Sequence, residues 1–185
     1  MRTLTQNICG TEQEIVRQMT PQALYLHHKD RVYQLCLRYA GGRVALAEDL
    51  THDVFVKLLE HLPSLSETTE LAPWIYRVTT NTCLSRLKRE QSWWSKMQQI
   101  IWSKPTAHTE TPEKQVSLRA DLQYVLEELQ QLPAKERVVF CMVHLDHISQ
   151  QDVGKTLSLS KGYVSKLLHR AQQRLRKRGW EVTDG

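Results

Sequence analysis

The sequence predicts an all-α protein: two small helical domains joined by a linker, the C-terminal one containing a helix-turn-helix. Three observations lead to this expectation. Apolar residues recur at the three- and four-residue spacing of helices, and the alternation typical of strands is nearly absent. Prolines and glycines divide the periodic stretches into short helices. Between them, residues 91–116 end in prolines and threonines, a composition typical of a linker.

The N-terminal domain is predicted to be a compact bundle of three helices. Thr20 and Pro21 supply a hydroxyl N-cap and a proline at the first helical position, and Gly41 with Gly42 ends this helix. A second apolar stripe predicts a helix over residues 45–62. Pro73 opens a third helix that we expect to run to about Arg89, with Trp74 in the core.

The C-terminal domain is predicted to contain four helices. The first has an apolar stripe and stops at Pro133, and the second covers residues 135–145. Ser149 and Asp152 have the spacing of a capping box for a short third helix, and Ser160 caps a final basic helix after the turn at 157–159. The stripe of the first helix comprises Leu118, Leu122, Val125, Leu129 and Leu132.

These signals divide the chain into five parts. We expect an N-terminal tail at 1–19, a first domain at 20–90 and a linker at 91–116. A second domain at 117–179 and a C-terminal tail at 180–185 complete the chain.

Two basic segments carry no acidic residue, although the net charge of the 185-residue chain is only +5. Such stretches favour a polyanion such as DNA. In a helix-turn-helix, the second helix enters the major groove and its basic flank neutralises phosphates. The C-terminal segment contains Lys161, Lys166, Arg170, Arg174, Arg176, Lys177 and Arg178, and the other contains Arg77, Arg86, Lys88 and Arg89.

Several function classes lack the residues that they require. The four cysteines are scattered without a CxxC pair, which favours a reducing, cytoplasmic compartment over a disulfide framework. The N-terminus lacks the apolar core of a signal peptide. No phosphate-binding loop, HExxH motif or nucleophile elbow appears, so neither an enzyme nor a cofactor is expected. Cys141, His144 and His147 are spaced three residues apart, so on a helix each side chain is rotated by about 60° from the one before it. A metal site is therefore not expected either.

Two blocks of sequence resemble one known family. The segment QLPAKERVVFCMVHLDHISQQDVGKTLSLSKGYVSKLLHRAQQRLRKR resembles domain four of the extracytoplasmic-function (ECF) sigma factors of the sigma-70 family. The segments RVYQLCLRYAGGRVALAEDLTHDVFVKLLEHL and WIYRVTTNTCLSRLKRE resemble domain two of the same family. The blocks occur in the family's order and together cover roughly residues 20–178.

The resemblance implies a function and a set of contact residues. A sigma factor binds core RNA polymerase, reads the −10 promoter element as melted single strand and the −35 element as duplex, and has no catalytic residues. Contact with the β′ clamp helices of polymerase is implied for Asp49, His52, Asp53 and Phe55. Binding of the −10 element is implied for Arg77, Thr80, Asn81, Arg86, Lys88 and Arg89. Binding of the −35 element is implied for Lys161, Tyr163, Ser165, Lys166, His169, Arg170 and Arg174.

Further partners follow from the same resemblance: the β flap of polymerase for the basic end of the last helix, and an anti-sigma factor.

The chain departs from the family pattern at three positions. His52 stands where glutamine is usual, Gly154 where alanine is common, and Ser158 where glycine is common. If the turn at Ser158 requires a positive φ, a residue with a side chain costs on the order of 1 kcal/mol there.

Two alternatives remain open at this stage. One is a two-domain helix-turn-helix regulator that binds operator DNA independently of polymerase, and the other is a metal-responsive protein. The aromatic start of the linker is a separate oddity, because a flexible linker should not be so apolar. We hypothesise that it packs on polymerase or on an inhibitory partner, in which case replacing Trp93, Trp94 and Trp102 by serine should impair transcription or inhibition.

Overall fold

The computed structural model describes residues 20–62, 70–100 and 118–180, except for the side chains of 94–100 and 118–121. Within these ranges the chain is helical and contains no β-strand, which confirms the predicted fold class. The helices are α1 (Pro21–Ala40), α2 (Val44–His61), α3 (Leu71–Ile100), α4 (Leu118–Gln130), α5 (Ala134–Phe140), α6 (Gln150–Leu157) and α7 (Lys161–Arg176).

Helices α1, α2 and α3 pack on one another as the predicted three-helix bundle. The hydroxyl of Thr20 accepts a hydrogen bond from the amide of Ala23, as expected of an N-cap. At the other end of α1, Gly41 adopts a left-handed conformation with φ of 68°. Trp74 is buried, as predicted. The fully buried side chains of the bundle include Leu24, Val32, Tyr39, Leu50, Val54 and Leu58.

The third helix is longer than predicted. It was expected to end near Arg89, but α3 continues to Ile100, so the beginning of the predicted linker is helical. Residues 89–100 are mostly polar or aromatic and include no proline or glycine. Nothing in the local sequence therefore stops the helix. Trp93 is 54% exposed on this extension. Trp102 and the side chain of Trp94 lie outside the described residues, so the linker hypothesis stays a prediction.

The second domain consists of α4 to α7 and contains a π-helical turn. The helix predicted over 135–145 is α-helical only to Phe140, and residues Cys141–Leu145 form the wider turn. The amide of Asp146 bonds to the carbonyl of Cys141 at 3.0 Å. In α4, Leu122 was predicted to face the core but is 56% exposed, whereas Leu126 and Leu129 are buried. Among the described side chains of α4, the buried ones therefore begin at Leu126, one turn after Leu122.

The two domains pack directly against each other. Helix α3 of the first domain contacts α5 and α6 of the second, and α1 contacts α4 and α5. We call this contact surface the domain seam. At Gly41, an added Cβ would lie 2.7 Å from the Cα of Gln130, so only glycine permits this approach of the α1–α2 turn to α4. The buried apolar residues of both domains form one continuous cluster.

Candidate nucleic-acid interface

Helices α6 and α7 form the predicted helix-turn-helix. The hydroxyl of Ser149 accepts a hydrogen bond from the amide of Asp152 at 3.2 Å, and the hydroxyl of Ser160 caps α7 by accepting from the amide of Tyr163 at 3.3 Å. Ser158 has φ of 54°, which confirms the expected left-handed turn. A Cβ on Gly154 would lie 2.7 Å from the carbonyl oxygen of Leu159, so the same turn also favours glycine over alanine at this position.

The outer face of α7 is exposed and free of acidic residues. Apolar residues hold the opposite face, with Val164, Leu167 and Leu168 buried. Tyr163 is half-buried, and the ammonium of Lys135 lies 5.5 Å from the centre of its ring. The other six predicted −35 residues are all exposed: Lys161, Ser165, Lys166, His169, Arg170 and Arg174.

Two arginines near the end of this helix already have acidic partners. The Nε atom of Arg174 lies 3.0 Å from Oε2 of Glu136, a side chain of α5 that is only 7% exposed. Arg178 makes a two-pronged ion pair with Glu128 of α4, in which Nη2 donates to Oε1 at 2.8 Å. These hydrogen bonds from Arg178 lower the pKa of the Glu128 carboxyl. The basic end of α7 is thus partly used to fix the helix to its own domain.

The predicted polymerase-binding residues occupy different depths of α2. Asp49 and His52 are exposed, and Asp53 is half-buried. Phe55 is only 5% exposed, and its ring packs against that of Tyr25 with 4.8 Å between centroids. In this conformation, therefore, the two exposed residues and Asp53 are open to a partner, whereas Phe55 contributes to the packing of α1 on α2.

The predicted −10 residues of α3 fall into two groups. Arg77, Arg86, Lys88 and Arg89 are exposed. Thr80 is fully buried, and its hydroxyl donates to the carbonyl of Tyr76 at 2.9 Å. Asn81 is exposed but donates its amide N–H to the carbonyl of Thr156 in α6 at 3.1 Å. Thus the two neutral polar residues expected to read bases are engaged at or beside the domain seam.

A polar cluster at the seam was not anticipated from the sequence. Asp146 accepts a hydrogen bond from the Tyr76 hydroxyl at 2.7 Å, and its other carboxylate oxygen lies 2.8 Å from Nη1 of Arg38. The hydroxyls of Tyr39 and Tyr76 are 3.1 Å apart, and that of Tyr39 is 3.4 Å from the Thr80 hydroxyl. Burial raises the pKa of both tyrosines. These hydroxyls therefore remain protonated donors throughout the physiological pH range.

Arg137 forms a second polar link across the seam. Its guanidinium is almost fully buried and donates to the carbonyl of Tyr39 at 2.9 Å and to that of Leu132 at 3.1 Å. Burial, followed by repulsion from Arg43, lowers the pKa of Arg137 to about 10. The side chain therefore stays charged near neutrality while it joins the end of α1 to the loop after α4.

Comparison with known proteins identifies the two domains separately. The chain matches Sigma-70 region 2 over residues 24–93 and Sigma-70 region 4 over residues 129–177. The first range corresponds to the bundle of α1 to α3, and the second to the helix-turn-helix domain. Several curated relatives are similar over both regions. One of them is the ECF RNA polymerase sigma factor SigW of Bacillus subtilis, with 26% identity over 81% of this chain and 83% of that protein.

The chain belongs to the ECF sigma factors of the sigma-70 family. A second relative, the ECF sigma factor SigE of Mycolicibacterium smegmatis, is 30% identical over 83% of this chain and 59% of its own length. Sigma factors are transcription initiation factors without catalytic activity, so this ECF sigma factor is not an enzyme. In the described part of the chain, no helix combines the length and the hydropathy needed to span a membrane.

Two solved structures share the fold of this ECF sigma factor. The sigma factor RpoE in complex with the anti-sigma factor NepR from Bartonella quintana aligns with a TM-score of 0.59 and 18% identity, over 84% of this chain and 94% of that one. CnrH in complex with the cytosolic domain of CnrY aligns with a TM-score of 0.56 and 17% identity, over 91% and 94% respectively.

Proposed function

We propose that this sigma factor binds core RNA polymerase in the cytoplasm and directs promoter-specific initiation, with region 2 reading the −10 element and region 4 the −35 element. The observation that carries the proposal is the exposed, acid-free face of α7, behind a capped N-terminus and beside a tight turn, in a chain of the ECF family. We place the functional domains at residues 20–90 and 117–179, as expected from the sequence.

Duplex reading at the −35 element suits α7. The major groove is about 12 Å wide and admits one helix, whose N-terminal turns approach the base edges. Lys161, Ser165 and Lys166 occupy these turns and are exposed. His169 and Arg170 follow one turn later on the same exposed side. Arg174 forms an ion pair with Glu136 and suits a further contact with a DNA phosphate, since half or more of protein–DNA hydrogen bonds go to the sugar–phosphate backbone.

Single-strand reading at the −10 element requires the domains to separate. Thr80 lies in the buried hydroxyl cluster, and Asn81 is bonded to Thr156. We propose that opening of the domain seam releases Asn81 and uncovers the hydroxyl cluster that contains Thr80, so that both residues can bind base edges. The exposed cations of α3 (Arg77, Arg86, Lys88 and Arg89) then hold the phosphates of the strand.

Binding to polymerase and inhibition use different parts of the surface in this proposal. In α2, the residues that contact the β′ clamp helices are Asp49, His52 and Asp53. Phe55 holds α2 in place by packing against Tyr25 of α1. Region 4 meets the β flap through the basic end of α7. An anti-sigma factor would hold the packed arrangement of the two domains; the solved structure of RpoE with the anti-sigma factor NepR, which shares this fold, supports this assignment.

The test is transcription by purified core RNA polymerase from a library of promoters. We expect promoter-specific transcripts only when the chain is added. The double variant K166A/R170A should lower the yield and relax the preference at −35 positions, because one good base contact is worth about 1–3 kcal/mol of discrimination. The control R31A removes an exposed cation of α1, outside the proposed DNA surfaces, and should leave transcription unchanged.

Two results would contradict the proposal. The first is that the chain binds duplex DNA on its own and ignores core polymerase, which would establish the polymerase-independent regulator instead. The second is that K166A/R170A transcribes the same promoters with the same preference as the wild type.

A further inference from the structure

Two cysteines far apart in the sequence meet in the core of the first domain. Cys36 of α1 and Cys83 of α3 have their Sγ atoms 3.5 Å apart, and both residues are fully buried. Both are free thiols, as is Cys141 in the second domain. Neither the polymerase contacts nor the DNA contacts proposed above use this pair.

We propose that Cys36 and Cys83 are a modification site, which hydrogen peroxide converts into an intramolecular disulfide. A disulfide has an S–S bond of about 2.05 Å, so the sulfurs need to approach each other by roughly 1.5 Å. Each sulfur moves by rotation about a single side-chain bond, and the two helices already pack on each other. We therefore expect the pair to close by side-chain rotation, without a rearrangement of the bundle.

The surroundings distinguish the two sulfurs. The thiol of Cys83 faces Cys36, and this hydrogen bond lowers the pKa of Cys36 and raises that of Cys83. The hydroxyl of Thr51, from α2, also lowers the pKa of Cys36. Since the thiolate is the nucleophile, the cysteine that ionises attacks the oxidant and the other resolves the product; the directions of the two shifts favour Cys36 for the attack.

The reaction balances with peroxide as the only oxidant. The Cys36 thiolate attacks one peroxide oxygen, the O–O bond breaks, and the departing hydroxide takes up a proton to become water, leaving a sulfenic acid on Cys36. The sulfur of Cys83 then attacks the Cys36 sulfur and displaces the hydroxyl, which leaves as water with the proton of Cys83. Two thiols and one peroxide thus give one disulfide and two waters. Peroxide is small and uncharged, so local opening of the bundle is sufficient for its entry.

The position of this pair connects its oxidation to the domain seam. Cys36 lies one helical turn before Tyr39, and Cys83 one turn after Thr80. These two residues carry hydroxyls of the seam cluster, which are 3.4 Å apart. A disulfide would therefore join α1 to α3 one helical turn away from two hydroxyls of the polar cluster at the domain seam.

The experiment treats the reduced, folded, full-length protein with hydrogen peroxide and maps its thiols by mass spectrometry. We expect the intact mass to fall by two hydrogens, a non-reducing digest to contain a Cys36–Cys83 cross-linked peptide, and dithiothreitol to reverse both changes. C36A and C83A should not lose the two hydrogens, whereas the control C141A should behave as the wild type. The oxidised protein should also melt at a higher temperature than the reduced protein.

Three outcomes would overturn the proposal. They are a disulfide that uses Cys9 or Cys141 instead, a Cys36–Cys83 bond that forms only in the denatured chain, and oxidation that stops at sulfinic acid in a protein that remains folded. The mapping of the wild-type protein decides between these outcomes even if an alanine variant fails to fold. None of the measurements involves polymerase or DNA, so the result is independent of the proposed function.

Discussion

Tyr76 in the first domain donates its hydroxyl hydrogen to the carboxylate of Asp146 in the second, across a distance of 2.7 Å. The same carboxylate is held by Arg38 at 2.8 Å. One acidic side chain thus has two partners on the opposite domain. Hydrogen bonds to a charged group are worth more than neutral ones, so this contact is a main polar determinant of the packed arrangement.

The first prediction concerns this contact. Y76F removes the hydroxyl and leaves Asp146 with Arg38 alone. A lost hydrogen bond to a buried charged group costs about 1–3 kcal/mol, so the population with separated domains should increase. Small-angle scattering should report a larger radius of gyration, and amides at the seam should exchange faster. The matched control is Y124F, because the Tyr124 side chain is 54% exposed; equal behaviour of the two variants would contradict the role of Tyr76.

The second prediction concerns the close approach at Gly41. In G41A the new methyl group meets Gln130 at 2.7 Å and the residue must keep a φ of 68°. The left-handed conformation alone costs about 1–2 kcal/mol. We expect a lower melting temperature together with a looser seam. G162A is the control, since nothing lies within 4 Å of its Cβ position, and this helical substitution should stabilise the protein slightly. A seam that stays closed in G41A would argue against the prediction.

The third prediction concerns the helix-turn-helix. S158G relieves a residue held at φ of 54°, and should raise the free energy of unfolding by on the order of 1 kcal/mol. S160A removes the cap of α7 and should lower it by about 1 kcal/mol. Urea denaturation of both variants measures the two changes, which should have opposite signs. A loss of stability in S158G would mean that the serine side chain makes a contribution of its own to the turn.

The fourth prediction concerns pH. Because Arg178 lowers the folded-state pKa of Glu128, the carboxylate stabilises the fold above its ordinary pKa, and this stabilisation is lost as the pH falls through the lowered value. The wild type should therefore be more stable than E128Q at pH 7, and the difference should shrink toward about pH 3. The effect should be modest, because Arg178 is half-exposed. The matched control is E127Q, which makes the same substitution at the neighbouring, exposed position.

The sequence predicts local structure well because the responsible interactions are local. The three predicted N-caps are Thr20, Ser149 and Ser160. Each hydroxyl accepts a hydrogen bond from the amide three residues later, and the structure contains all three bonds. The end of α3 is different, since no glycine or proline marks it and composition alone suggested a linker. The exposed Leu122 shows that an apolar stripe defines a helix face but not how much of it is covered.

The candidate site is only partly predictable for the same reason. A basic face on α7 follows from its own residues, so its exposure could be expected. The hydroxyl contact of buried Thr80 involves the Tyr39 side chain, and Asn81 bonds to the backbone carbonyl of Thr156, at sequence separations that leave no periodic signal. Likewise, Tyr76 and Asp146 are seventy positions apart in the sequence, and no recognisable motif links them.

The π-helical turn at Cys141–Leu145 determines where Asp146 points. Each residue of an α-helix turns the chain by about 100°, and a π turn inserts one extra residue into that rotation. Shortening the turn by one residue would therefore swing the carboxylate by about a quarter of a circle, away from Arg38 and Tyr76. Strength of attachment between the domains can thus be tuned by a single deletion that alters none of the attaching side chains.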